Sequence, residues 1–277
     1  MCTAIKYENY FGRNLDLWCH YDTAVILTEK NKMSNRYPIL GTATVENGYP
    51  LYFEGMNDRG LAMAGLNFPD NAVYYPLDKS KKNLAPYELI PYIIGNFVSI
   101  GEAAEELKGV NILNRPFSEN VPLSPLHWMI SDKNGSIVLE STENGLKIYT
   151  NPHNVLTNNP PFDIQSFNLN NYKRLSSRSA AGDYSLGMGA LGLPGDLSSM
   201  SRFVRAAFHT GNSTASLGAN QLFHLLYSVA MPKGSVITPE GREEYTQYTC
   251  CCDLENNKYY YTEYDNLNVR CIGFNDR

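Results

Sequence analysis

Nowhere in its 277 residues does the chain carry an apolar run approaching the roughly 20 residues that cross a bilayer as a helix. Its start also lacks the basic-then-apolar pattern of a secretory signal, because Cys2 follows Met1 and Lys6, Glu8, Asn9 and Arg13 come within a few positions. Both absences predict a chain that stays in the cytoplasm. A basic excess is missing too: 23 Lys and Arg stand against 28 Asp and Glu, a net charge of −5 with a pI near 5.6. Binding to nucleic acid or to an anionic membrane surface is therefore not expected. Charged residues make up only 18%, whereas 20 tyrosines and 21 glycines suit strands and turns with aromatic packing.

Metal-ligand spacing is absent as well. The six cysteines fall at 2, 19, 250, 251, 252 and 271, and the triplet lacks the two-residue gap that lets thiolates converge on zinc. In a strand the middle member of the triplet would face away from its neighbours. These are expected as reduced packing residues, with no metal site and no cofactor. Cys19-His20 is a thiol beside an imidazole, but adjacent strand side chains also diverge.

A chain of this length can bury a core without disulfides, and no repeat or interdomain linker divides it, which predicts one domain over residues 1–277. Strands are expected at 2–7 and 10–18 around a turn at Glu8-Asn9, and at 23–29, where TAVILTE is rich in β-branched residues. These three suggest an antiparallel sheet. PLYFEGM (50–56) and GLAMAGLNF (60–68) read as further strands about a turn at 57–60. LAPYELIPYIIGNF places Leu89, Tyr92, Ile93 and Phe97 on one helical face, and SIGEAAEELKG offers Ser99 and Glu102 as a capping box. From Leu126, Asn-Gly at 134 and 144 predicts a three-stranded meander. A loop-rich stretch follows, then helices at 199–209 and 218–230 and a closing hairpin about 255–257. Strands at both ends with helices between predict an α+β fold of two stacked antiparallel sheets covered by helices, a four-layer arrangement.

Cys2 is the residue with the most chemical promise. Trimming Met1 would leave a thiol and an α-amine on one residue, with ordinary pKa values of about 8.5 and about 8, a nucleophile beside its own base. Cys2 could equally be an ordinary start to a strand. FGRNLD supplies Arg13, a cation that would favour thiolate, and Asp16, a carboxylate able to orient the amine. Residues three apart on a regular strand face opposite ways, so their convergence requires a bend near Asn14-Leu15.

Taken in order, MCTAI, FGRNLD, GMNDRGLAMAGLNFP, LHWMISD, VLTNNP, GLPGDLSSMSRFVRAAF and EYTQYT resemble the choloylglycine hydrolase family of bile salt hydrolases and penicillin V acylases, and the likeness runs through most of the chain. The resemblance implies the αββα N-terminal nucleophile hydrolase fold and cleavage of a non-peptide amide through a thioester. On matching positions, Cys2 would be nucleophile, Arg13 and Asp16 would tune and orient it, Asn67 and Asn158 would bound the oxyanion hole, and Arg202 would complete the polar site. Asn67 stands where penicillin V acylases tend to carry tyrosine, which favours a conjugated bile salt. Leu15, Val45, Phe117 and Val121 are candidate linings of the steroid groove or plain core, and Glu46 stands where many relatives are apolar. The family habit implies a homo-oligomer, tetramer or dimer, although the segment between Tyr172 and Gly187 is shorter than the family's assembly loop. Penicillin V, an N-acyl homoserine lactone, or a noncatalytic binding role are the alternatives.

Overall fold

The computed structural model describes residues 1–179, 187–214 and 216–276. The chain opens on β1 (Cys2–Tyr7) and β2 (Tyr10–Leu17), turning at Glu8, which adopts φ 50°. Then come β3 (Thr23–Thr28), β4 (Ile39–Glu46), β5 (Tyr49–Tyr52), β6 (Glu54–Asn57), β7 (Ala62–Asn67) and β8 (Lys82–Leu84). Helices α1 (Pro86–Asn96) and α2 (Ile100–Leu107) precede β9 (Val110–Ile112) and the meander β10 (Leu126–Asp132), β11 (Gly135–Thr142) and β12 (Gly145–Thr150). The remainder is β13 (Val155–Leu156), α3 (Phe162–Asn168), a 3₁₀ turn at Leu169–Tyr172, α4 (Ser199–Asn212), α5 (Ala219–Tyr227), β14 (Val236–Ile237), β15 (Glu243–Asp253), β16 (Lys258–Glu263) and β17 (Asn266–Gly273).

All of these strands except β8 and β9, which pair in parallel with each other, form two antiparallel sheets. The first runs β13-β1-β2-β15-β16-β17, with β14 on β15, and the second runs β12-β11-β10-β7-β6-β4-β3, with β5 on β4. Between them a core joins Ala4, Phe11 and Cys252 of the first sheet to Leu40, Met56, Leu66 and Met129 of the second. Helices α4 and α5 cover the outer face of the first sheet; α1 and α2 cover that of the second. The order of layers is αββα, as expected. Every residue of β1 is buried because its two faces meet different layers.

Local chemistry accounts for most of the elements. Ser99 Oγ caps α2 by accepting from Glu102 N at 3.2 Å, while the Glu102 carboxylate accepts from Val98 N at 3.0 Å, one residue before the nitrogen a capping box would use. Gly145 takes φ 91° in the second Asn-Gly turn, a conformation that favours glycine. In the Cys triplet, Cys250 and Cys252 face the intersheet core and Cys251 faces the helices; all three are free, and burial pushes their thiols well up.

Three expectations need correction. The strand at 23–28 does not extend the sheet of β1 and β2; it crosses to the edge of the second sheet. The run at 50–56 is two strands, because one extra residue at Phe53 slips the register along β4 from Ala43↔Tyr52 to Leu40↔Met56. The strand β4 and helix α3 were not anticipated at all. In ILGTATVE the alternation is interrupted by Gly41, which the packing demands, since a Cβ there would sit 2.1 Å from Glu54 O. Of the short segment 172–187, residues 180–186 lie outside the described residues.

Candidate active site

Register brings the first chemical pair together. Cys2 lies opposite Leu15 across β1 and β2, so its side chain shares the intersheet face with Leu15 and Arg13. Arg13 Nη2 lies 2.6 Å from Cys2 Sγ, and both residues are buried. Three carbonyls hold the guanidinium there: Gly65 O at 2.8 Å and Phe53 O at 3.1 Å from Nη1, and Asn14 O at 3.4 Å from Nε. The register slip at Phe53 is what turns its carbonyl to the arginine. Burial works against the charge of Arg13, but Cys2, Tyr248 and Glu54 beside it hold its pKa above the ordinary arginine value.

Asp16 points the other way. Strand β2 pairs with β1 without interruption, so the anticipated bend near Asn14-Leu15 is absent; the irregularity lies opposite, in β15 between Thr246 and Tyr248. The Asp16 carboxylate therefore faces the helices, where Thr246 Oγ1 donates to Oδ1 at 2.6 Å and Arg202 Nη1 stands 3.9 Å from Oδ2. That Oδ2 is buried and has no hydrogen-bond partner among the described residues. Burial raises the Asp16 pKa, an effect that Arg202, the N-terminal ammonium and Thr246 oppose.

The main chain of Cys2 joins these two sides. Its nitrogen, a peptide N–H behind Met1, donates to Asn158 Oδ1 at 2.8 Å, and its carbonyl accepts from Arg202 Nη1 at 2.6 Å. Arg202 Nη2 also donates to Asn158 Oδ1 at 2.8 Å, so one oxygen aligns the arginine and the cysteine nitrogen. Asn158 Nδ2 gives one proton to Asn67 O at 2.7 Å and retains a second. The Asn67 side chain lines the cavity and makes no hydrogen bond within the described residues. Burial disfavours the charge on Arg202, and Asp16 and Cys2 counter it. The ammonium of Met1 reaches Asp16 O and Glu244 Oε1.

A buried polar frame fixes the two asparagine turns. The His127 ring contacts Thr157 O at 2.9 Å and Glu140 Oε1 at 3.0 Å, and stacks on Phe68 with centroids 4.3 Å apart. Gln165 Nε2 of α3 lies 3.3 Å from Asn158 O and 3.1 Å from Ser199 Oγ, while that hydroxyl accepts from Asn158 N at 2.8 Å. Apart from Asn158, none of these residues was singled out from sequence. Their signal is faint, a His and a Glu inside otherwise apolar strands, where an unpaired polar group would be costly.

A cavity of about 400 Å³ opens above the sulfur. Leu15, Phe117 and Val121 line it, as do Asn67 and Arg13. Val45 does not: it is 50% exposed, and alternation along β4 turns its neighbours Thr44 and Glu46 to the cavity instead. Phe117 forms an aromatic wall with Tyr87 and Tyr49, at centroid distances of 5.1 and 5.5 Å. Phe117→Ala is expected to raise KM about 10-fold with kcat changed less than about threefold, the mark of lost uniform binding. Steady-state kinetics would check it, and an unchanged KM would remove Phe117 from the substrate-binding wall. No cluster of three or more His, Cys, Asp or Glu able to hold a metal occurs among the described residues.

The Cys2 sulfur thus lies against a buried arginine, and the main-chain nitrogen of the same residue is held by an asparagine, at the floor of a cavity in an αββα sandwich. Residues 2–277 match the family described as linear amide C–N hydrolases, choloylglycine hydrolase family, and the chain belongs to it. Among curated relatives, the bile salt hydrolase/transferase of Lactiplantibacillus plantarum is 48% identical over 301 aligned positions, covering 99% of this chain and 93% of its own. The bile salt hydrolase/transferase of Clostridium perfringens is 38% identical, covering 99% and 93%. In structure, a cysteine-to-alanine mutant of the C. perfringens conjugated bile acid hydrolase superposes with a TM-score of 0.92 at 37% identity, covering 100% of this chain and 93% of that one. Penicillin V acylase of Agrobacterium tumefaciens gives 0.73 at 21% identity, covering 99% and 86%, and shares the fold.

Proposed function

We propose that this protein hydrolyses the amide of conjugated bile salts, releasing a free bile acid and glycine or taurine, with Cys2 as nucleophile after removal of Met1. The observation that carries the reading is the 2.6 Å contact between Arg13 and Cys2 Sγ at the base of an apolar-walled cavity. The relatives named for bile salts supply the substrate class.

With Met1 gone, the Cys2 nitrogen becomes an amine. Asn158 Oδ1 already accepts from it, and Asp16 Oδ2 is a free acceptor on the helix side. In the first step the thiolate forms a C–S bond with the amide carbon, and the carbonyl π electrons move to oxygen. The second proton of Asn158 Nδ2 and the side-chain amide of Asn67 are donors to that oxyanion. Its collapse breaks the C–N bond, and the α-ammonium of Cys2 gives a proton to the departing amine. Water, deprotonated by the same amine, then attacks the thioester; the C–S bond breaks and the thiolate returns. An amine replacing that water would yield transfer in place of hydrolysis, consistent with relatives named hydrolase/transferase.

Leu15, Phe117 and Val121 would meet the steroid, with Glu46 adding a polar contact. No cofactor takes part in this scheme. The same reading carries a cytoplasmic location and a dimer or tetramer, open to fractionation and sedimentation; no helix among the described residues is long and apolar enough to cross a membrane. Its test is parallel assay of glycocholate, taurocholate and penicillin V. Faster release from a bile salt supports the reading; penicillin V as the only substrate cleaved would overturn it.

A further inference from the structure

Behind Arg13, on the side away from the sulfur, lies a second buried charge. Glu54 is fully buried, and its Oε2 is 3.6 Å from Arg13 Nη1. It follows the register slip at Phe53 and projects between the sheets. All its hydrogen-bond partners are donors: Tyr248 OH to Oε2 at 2.6 Å, Tyr259 OH to Oε1 at 2.6 Å, and Thr42 N to Oε1 at 3.3 Å. That is the company of an ionised carboxylate. Yet Arg13 has three carbonyls to hold it in place without Glu54. A charge that is costly to bury and not needed to hold Arg13 acts on the nearby guanidinium and sulfur through its field.

We propose that Glu54 sets the basicity of the Cys2 sulfur, opposing Arg13 from behind so that the thiolate in front is held but not over-stabilised. The proposal rests on Cys2 being the nucleophile. A thiolate of lower basicity attacks more slowly, with a Brønsted slope of about 0.4–0.5. An arginine without its counter-charge would therefore yield more thiolate at low pH and a slower one.

Around this pair stand Cys250 and Tyr248 of β15, Cys252 further along it, and Tyr259 of β16. On the helix side are Asp16, Arg202, Glu244 and the terminal amine, and on the cavity wall Glu46 and Arg115. Burial pushes the two thiols and two phenols well up, so these four keep their protons across the working range.

The test is the pH profile of iodoacetamide alkylation of Cys2, followed on the N-terminal peptide by mass spectrometry in the intact folded protein. Glu54→Gln is expected to lower the midpoint by about one pH unit and the plateau rate about threefold. Glu54→Asp keeps the charge and should restore most of the wild-type profile, whereas Arg13→Ala should raise the midpoint. Tyr248→Phe removes a donor from the carboxylate, bares more of its charge and should raise the midpoint by about half a unit. A Glu54→Gln midpoint that stays in place, or rises as in Arg13→Ala, would overturn the proposal. If Glu54→Gln does not fold, Tyr248→Phe decides: a rise supports the proposal and an unmoved midpoint refutes it. Glycocholate hydrolysis on the same samples separates the two levels, because wild type that cleaves no bile salt defeats the substrate assignment while the alkylation profiles still judge Glu54.

Discussion

Cys2→Ala abolishes the release of glycine from glycocholate, an expected fall in kcat of at least about 10³, with the far-UV circular dichroism unchanged. In the proposed mechanism the sulfur is the attacking group in the cluster around Arg13, while the asparagines, Asp16 and the arginines donate, accept or hold charge. The fold should persist because β1 is held by main-chain pairing with β2 and β13, which the side chain does not enter. Cys2→Ser puts a hydroxyl in place of the thiol, a far weaker nucleophile toward an amide carbon near neutrality, so the loss remains large. Cys19 lines the same cavity and is the obvious stand-in. It makes no hydrogen bond to Arg13 among the described residues, and Cys19→Ala should leave turnover near wild type. Undiminished release by Cys2→Ala, or a transfer of the activity to Cys19, would remove the assigned nucleophile.

Asn158→Ala comes second, with an expected loss of about 10²–10³ in kcat and a smaller change in KM. One side chain serves three partners: its Oδ1 receives the Cys2 nitrogen and Arg202, and its Nδ2 reaches Asn67 O with a proton to spare. Asn158→Asp separates these duties. The acceptor for Arg202 and the amine survives, but the donors are replaced by a carboxylate that repels a developing oxyanion. If donation to the oxyanion dominates, aspartate is as damaging as alanine; if holding the amine dominates, aspartate recovers much of the rate. Turnover of the aspartate variant near wild type would exclude the donor role.

The first two strands were legible because their chemistry is local: β-branched and aromatic runs, a two-residue turn, and the polar motif FGRNLD set inside an apolar strand. The two Asn-Gly hairpins and the helices at 86–96 and 199–212 announced themselves in the same way. What stayed hidden depends on partners far along the chain. The crossing of β3 to the other sheet is decided by pairing with β4, and β4 itself is obscured by Gly41, a residue chosen by the backbone of Glu54 pressing on it. Arg13 and Asp16 could be named from sequence, and alternation along β2 puts them on opposite faces, so the expected bend near Asn14-Leu15 is not needed. Cys2 resolves the conflict, with its sulfur on one face and its nitrogen turned to the partners of the other. Glu54, His127 and Glu140 were invisible for a related reason. Each is a single polar residue in an apolar run, and only the fold shows what pairs with it.

The most direct test is the N-terminal peptide mass of enzyme that is turning over glycocholate. The account predicts a peptide beginning at Cys2, with turnover proportional to the fraction of chains that have lost Met1, because only those chains carry the free amine that moves the proton. Full turnover by protein whose peptide still begins at Met1 would contradict it, since the Cys2 nitrogen would then be an amide and the proton would have to travel by another group.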